Sequence, residues 1–338
     1  MMLDLRNHTP LTTGMVPALD QSGCSYAVVI IKGEFDIRHR SLLRLSDAQQ
    51  PVLLADEYHG EPGKSSIKYE ADTSRKKQAT DIILNGHAYT PHNRPASSVD
   101  VSLQFGNRSK SRRVFGDRFW EKSLIGWQAS PPVRFTKMPL RYEYAYGGVD
   151  ESREEQGGPT FLATNPVGKG FIGPKCKPSE GLPLPNIEDP AALIQDWEQR
   201  PVPVGFGSIA RNWQPRLGLA GTYDEQWQKK RLPLLPLDFD DRYFNSAHPD
   251  FIAQTALPAD ESFHLTNLTE SGELTFQLPA IRLAVLVSIK GRTQSYRPTL
   301  DTLVIEPDEQ RVLLTWRATV PCSRQFLYID SITVKGKV

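Results

Sequence analysis

Thr302-Leu303-Val304-Ile305-Glu306-Pro307-Asp308-Glu309-Gln310-Arg311-Val312-Leu313-Leu314-Thr315-Trp316-Arg317 is the stretch that decides the fold. Two apolar, β-branched runs, Thr302 to Glu306 and Val312 to Arg317, flank the turn Glu306–Gln310. Pro307 presets the backbone angle that a tight reversal needs. The stretch therefore reads as a β-hairpin, and its neighbours repeat the texture. Glu273 to Leu278, Ile281 to Ile289 and Phe326 to Val334 read as strands. Toward the N-terminus the same reading covers Tyr26 to Lys32, Pro51 to Tyr58, Ile67 to Ala71, Thr80 to Leu84, Val99 to Phe105 and Arg113 to Phe115. Successive strands with short turns predict a mainly β fold, a sandwich-like antiparallel framework rather than a doubly wound α/β sheet.

The framework is predicted from two zones, residues 1–130 and residues 263–338, packed together as one module. Each zone alone has too few strands to cover both faces of a sheet. The zone between them, residues 131–262, is irregular and rich in aromatics, and seventeen of the 27 prolines lie between Pro131 and Pro258. Trp197, Trp213 and Trp227 predict order by side-chain packing, with Trp213 and Trp227 buried. Two short helices are predicted there. One runs from Glu188 to Gln199, with Asp189 as N-cap, Pro190 at the first helical position and Leu193, Ile194 and Trp197 on one face. The other opens on a capping box of Thr222 and Glu225 and carries Trp227.

The 338 residues carry 40 Lys+Arg against 39 Asp+Glu, a net charge of +1. That balance provides no whole-molecule field for a polyanion, which argues against dedicated nucleic-acid or membrane-surface binding. Cys24, Cys176 and Cys322 are odd in number and far apart, so neither a disulfide framework nor a four-thiolate zinc site is expected. The longest apolar runs, Ala27 to Ile31 and Leu283 to Val287, fall far short of the ~20 residues of a membrane span. Met1 to Pro17 shows no secretory signal pattern. A soluble cytoplasmic protein is expected.

Each chemical motif has a plainer reading. Gly168-Lys169-Gly170-Phe171-Ile172-Gly173 spells the dinucleotide fingerprint, yet Pro166 and Pro174 flank it, with no strand before or helix after, so it reads as a Gly-rich turn. His87 and His92 are separated by Pro91, which excludes a shared helix face for a metal. Asp238, Asp240 and Asp241 lack calcium-loop spacing and read as turn or helix caps. Arg108, Lys110, Arg112 and Arg113 read as a solvated hairpin between strands. No catalytic residue, cofactor or metal is predicted. In Arg141-Tyr142-Glu143-Tyr144-Ala145-Tyr146-Gly147-Gly148, strand alternation would put three tyrosines on one face, either packed in the core or exposed as an interface.

Longer blocks then become recognisable: Ala79–Tyr89 (ATDIILNGHAY), Val114–Trp120 (VFGDRFW), Met138–Gly148 (MPLRYEYAYGG) and Asn165–Phe171 (NPVGKGF). Leu184–Pro190 (LPNIEDP), Gly221–Trp227 (GTYDEQW) and Leu235–Asn245 (LPLDFDDRYFN) complete the series. Their order over about Ser22 to Leu300 resembles the domain-of-unknown-function family found in type VI secretion gene clusters and regarded as effector adaptors or chaperones. The resemblance implies a non-catalytic protein that holds a cognate toxic effector in the cytoplasm and helps load it onto the trimeric spike protein of the apparatus. Aromatic side chains are favoured hot spots, so whichever of Tyr142, Tyr144 and Tyr146 prove exposed, together with Phe239 and Tyr243, are the expected partner contacts. The alternative is a hydrolase acting on a polar polymer, with Asp224, Asp238 or Asp240 as acid or base beside tryptophan platforms.

Overall fold

The computed structural model describes residues 4–124, 126–152, 160–322 and 329–338. The chain is mainly β, with several sheets and, among the described residues, no closed barrel. The largest sheet has seven strands, in the order Thr12–Leu19, Ser25–Asp36, Arg311–Pro321, Thr299–Glu306, Thr80–Leu84 and Ile252–Ala253, with Arg44–Leu45 also on Ser25–Asp36. A six-stranded sheet runs Ile187–Glu188, Arg108–Phe115, Ser98–Phe105, Ser262–Thr266, Glu273–Gln277 and Ser41–Leu42. A four-stranded sheet runs Leu5–Asn7, Ile329–Lys337, Arg282–Ile289 and Arg292–Tyr296. Strands from the two ends of the chain sit side by side: Ser25–Asp36 pairs antiparallel with Arg311–Pro321 from Tyr26↔Pro321 to Asp36↔Arg311.

The hairpin forms as the sequence predicts. Glu306 pairs with Arg311, and Gln310 N–H donates to Pro307 O at 3.1 Å within the turn. Ala27 to Ile31 show no burial alternation because both faces of this sheet are covered, and all five are fully buried. On one face Val29, Ile31, Leu303, Ile305 and Leu314 join the core that also holds Val101, Leu103 and Phe263 of the six-stranded sheet. On the other face lie Lys32, Glu34, Glu306, Thr315 and Arg317, buried beneath the segment that follows Ile67–Tyr69. Charges taken out of water need partners. Lys32 meets Asp72 at 2.9 Å, Lys77 meets Asp81 at 2.6 Å, Arg216 meets Glu70 at 2.7 Å, and Arg317 holds Asp301. Burial would raise the Glu70 carboxyl, but Arg216, Lys77 and Arg211 override it and lower its pKa to about 2.

Several sequence expectations fail locally. Pro51 to Tyr58 is mostly loop, and only Glu57–Tyr58 pairs, with Ile67–Tyr69. Thr12–Leu19, Ser262–Thr266 and Arg292–Tyr296 are strands the sequence reading missed. The helix expected over Glu188 to Gln199 is absent. Glu188 is instead drawn into the six-stranded sheet opposite Arg113, and its carboxylate takes the buried Arg118. Asp189 Oδ1 accepts from Ala191 N–H at 2.9 Å in a local turn that goes no further. The second helix exists as Glu225–Lys230, but Asp224 caps it, accepting from Trp227 N–H at 2.8 Å, while the Thr222 hydroxyl is held by Asp238. Trp213 is buried, whereas Trp227 is only half-buried. The expected strand Phe326 to Val334 is found from Ile329 to Lys337, and residues 326–328 lie outside the described residues. No helix among the described residues is long and apolar enough to cross a membrane.

Candidate functional site

The tyrosine motif is not a strand. Tyr142–Tyr144 is one 3-10 turn, so the three rings do not share a face. Tyr142 is buried, with its ring edge-on to Trp213 at 5.6 Å between centroids and packed over Gly205, where a Cβ would come within 3.0 Å of it. Tyr146 is buried in a two-residue parallel ladder with Lys169–Gly170. Tyr144 is half-buried, with the Lys169 ammonium 4.9 Å above its ring. The fully buried Asn165 ties this together, its Nδ2 donating to Tyr142 O at 2.8 Å and to Tyr146 O at 3.0 Å. A Cβ on Gly147 would sit 2.2 Å from Asn165 O, at φ +150°, so only glycine fits. The blocks NPVGKGF and YAYGG thus brace each other; the letters of the dinucleotide fingerprint are spent on close backbone packing.

The other expected contacts are also largely internal. Phe239 is buried against Tyr243 and Phe244, both at 5.5 Å between ring centroids. Tyr243 is half-buried, and its carbonyl receives Arg216 Nε and Nη2 at 3.0 and 2.8 Å. Burial therefore corrects the expected surface: it removes Tyr142, Tyr146 and Phe239, and leaves Tyr144 and Tyr243 partly accessible.

The carboxylates proposed for acid–base work serve the backbone. Asp224 caps the helix, Asp238 accepts from Thr222 N–H and Oγ1, and Asp240 caps the 3-10 turn Asp241–Phe244 while holding Arg242. The Thr222 backbone and side-chain hydrogen bonds hold the Asp238 carboxyl below the usual range, and the Arg242 side chain does the same for Asp240. This shift is opposite to the one that would poise a general acid near neutrality. The basic cluster does lie in a hairpin, whose arms Ser98–Phe105 and Arg108–Phe115 pair from Phe105↔Arg108, but of its four cations only Lys110 is exposed. Arg112 is buried beside the stacked rings of Phe206 and Phe251 and paired with Asp250 at 2.7 Å. Lys110 also reaches Asp250, Arg113 holds Asp100, and Arg108 donates to Ile252 O.

One polar constellation was invisible in the sequence because its members are more than two hundred residues apart. His87 Nδ1 lies 2.6 Å from Asp308 Oδ2, and Tyr89 Oη donates to Asp308 Oδ1 at 2.5 Å, beside a cavity of about 150 Å³. Burial raises the Asp308 carboxyl, but its bonds to His87 and Tyr89 more than offset this and hold it below its ordinary value. The lining contains no serine or cysteine to act as nucleophile. His92 sits in the separate turn Pro91–Asn93, and no metal-holding group of three His, Cys, Asp or Glu occurs among the described residues.

What the surface does offer is an apolar platform around the short helix. Tyr223, Leu232 and Leu237 are 53%, 60% and 76% exposed, far above the core aromatics expected to bind. Trp227 stacks edge-on against Tyr223 at 4.7 Å between centroids, and its Nε1 donates to Leu234 O at 2.8 Å. Gln21, in the turn before Ser25–Asp36, donates to Phe239 O at 2.6 Å and accepts Arg231 at its own carbonyl. These bonds anchor the loop to the framework, so its exposed side chains are presented from a fixed backbone.

A multi-sheet β protein with internally braced signature segments is the class that the fold defines. The chain belongs to the bacterial family described as "uncharacterized protein conserved in bacteria" (DUF2169), which it matches over residues 22–317. Neither a curated protein nor a solved structure matches it.

Proposed function

We propose that the protein is a non-catalytic adaptor that binds a type VI secretion effector in the cytoplasm and helps load it onto the trimeric spike protein. The observation that carries this reading is the set of exposed apolar side chains Tyr223, Leu232 and Leu237 around the half-buried Trp227, on a loop pinned by Gln21 and Arg231. Apolar side chains held ready on a fixed backbone lose little entropy on docking, and aromatic anchors dominate interface energies. The resemblance of the signature blocks to the effector-adaptor family points to the same partners. The test is capture of candidate effector and spike proteins by the purified full-length chain. Changing Leu232 and Leu237 together to Asp should reduce capture while leaving the thermal melt unchanged. Undiminished capture would remove the platform from the interface, and failure to bind any effector or spike would remove the adaptor role.

A further inference from the structure

A groove of about 760 Å³ opens where the three large sheets meet. Each of its walls is a connection that leaves one sheet for another. The first follows Ile252–Ala253, the second links Glu273–Gln277 to Arg282–Ile289, and the third links Arg292–Tyr296 to Thr299–Glu306. Pro258, Pro279 and Pro298 place one proline in each wall, which restricts the backbone and keeps the groove open in advance of a ligand. Its floor is apolar, formed by Leu300, Leu314 and Trp316. The volume falls within the ~300–1,000 Å³ of ordinary ligand sites.

Charge decides what fits. Arg282 and Arg297 are the only charged residues in the lining, both are exposed, and neither has an ion-pair partner among the described residues. That sets them apart from Arg112, Arg118, Arg216, Arg311 and Arg317, each of which holds a carboxylate of this chain. An apolar trough with two guanidinium groups, one before Pro298 and one opening the strand Arg282–Ile289, matches a ligand with carboxylates at separate points along an apolar backbone. A fatty acid offers one carboxylate; an extended peptide offers several, together with main-chain hydrogen-bonding groups.

We propose that this groove binds a short extended peptide segment that alternates apolar and acidic side chains, contributed by the protein cargo. The inference rests on the adaptor reading for the source of the peptide, not for the chemistry of the groove. The probe is a fluorescein-labelled peptide alternating leucine with glutamate, titrated by anisotropy against the full-length protein, with a leucine–lysine peptide and laurate in parallel. The glutamate peptide should bind about tenfold or more tighter than the lysine peptide, and the paired change Arg282→Glu, Arg297→Glu should abolish that preference. Ala280→Trp, at an exposed lining position, should block the groove sterically without altering charge. Equal binding of both peptides, affinity unchanged in both variants, or binding of laurate alone would each overturn the proposal. Peptide binding without capture of any effector or spike would leave the groove assigned and defeat the adaptor reading. Effector capture with no peptide binding would do the reverse.

Discussion

Arg112 Nη2 donates to Asp250 Oδ2 at 2.7 Å, joining the second strand of the six-stranded sheet to the 3-10 turn that leads into the last strand of the seven-stranded one. The guanidinium is buried beside the stacked rings of Phe206 and Phe251, 5.9 and 5.4 Å from their centroids. Removing Asp250 leaves a cation in a nearly dry site. Asp250→Ala should therefore cost about 3–5 kcal/mol in urea denaturation, the range for stripping one partner from a buried pair. Arg113→Ala, which breaks the exposed pair with Asp100, should cost less than about 1 kcal/mol. Equal costs would mean that burial does not separate the two pairs.

Tyr142 supplies a test of packing against hydrogen bonding. Its ring is buried against Trp213, yet its hydroxyl is buried without a hydrogen-bond partner among the described residues, and burial pushes the phenol well above its ordinary pKa. Tyr142→Phe removes an unsatisfied polar atom and should be neutral or slightly stabilising. Tyr142→Ala empties the site and should cost about 3–5 kcal/mol. Thermal melts of the two variants measure the difference directly.

Asn165 should prove as sensitive as a core residue. Its side chain donates to the carbonyls of Tyr142, in the 3-10 turn, and Tyr146, just after it. Asn165→Ala strips the side-chain donor from Tyr146 O and leaves Tyr142 O with only the Ala145 N–H, at about 1–3 kcal/mol for an orphaned buried group. Gly147→Ala should be worse than a surface change of the same size, because its Cβ meets the Asn165 carbonyl. A variant of either residue that keeps the wild-type melting temperature would show that the two blocks do not brace each other.

Acid should weaken the fold before most carboxylates titrate. Burial, reinforced by Arg141 at His59 and by Arg112 at His248, lowers both imidazoles to about 4. In the unfolded chain each titrates near ~6.5. Between these values the unfolded state binds more protons, so stability is full above ~6.5, falls as pH drops toward 4, and loses nothing further from these groups below it. Glu70, lowered to about 2 by its cations, adds a loss that begins only below its ordinary value of 4.5. Unfolding midpoints measured from neutral to acid pH should report uptake approaching about two protons across the histidine window. The His59→Gln, His248→Asn double variant should flatten that slope.

The strand pattern was legible wherever one local rule sufficed. The hairpin Thr299–Glu306 to Arg311–Pro321, the fully buried Thr80–Leu84 and the Asp caps follow from side-chain alternation, β-branching and turn chemistry over a few neighbouring residues. So did the mainly β class. Glu188 escaped that reading: proline and aspartate favoured a helix start after it, but pairing with Arg113 and Arg118 took it into a sheet. Sequence alone also determined the family, because its blocks hold letters that only close packing demands, such as Gly147 against Asn165. Tertiary structure alone decided which aromatics face water. Of the side chains chosen for a partner, Tyr142, Tyr146 and Phe239 turned inward, while Tyr223, Leu232 and Leu237 were left outside. The same holds for the groove, whose walls come from three connections and whose arginines stand fifteen positions apart. Exposure depends on what other segments cover, and no local pattern in a chain records which distant segment will arrive there.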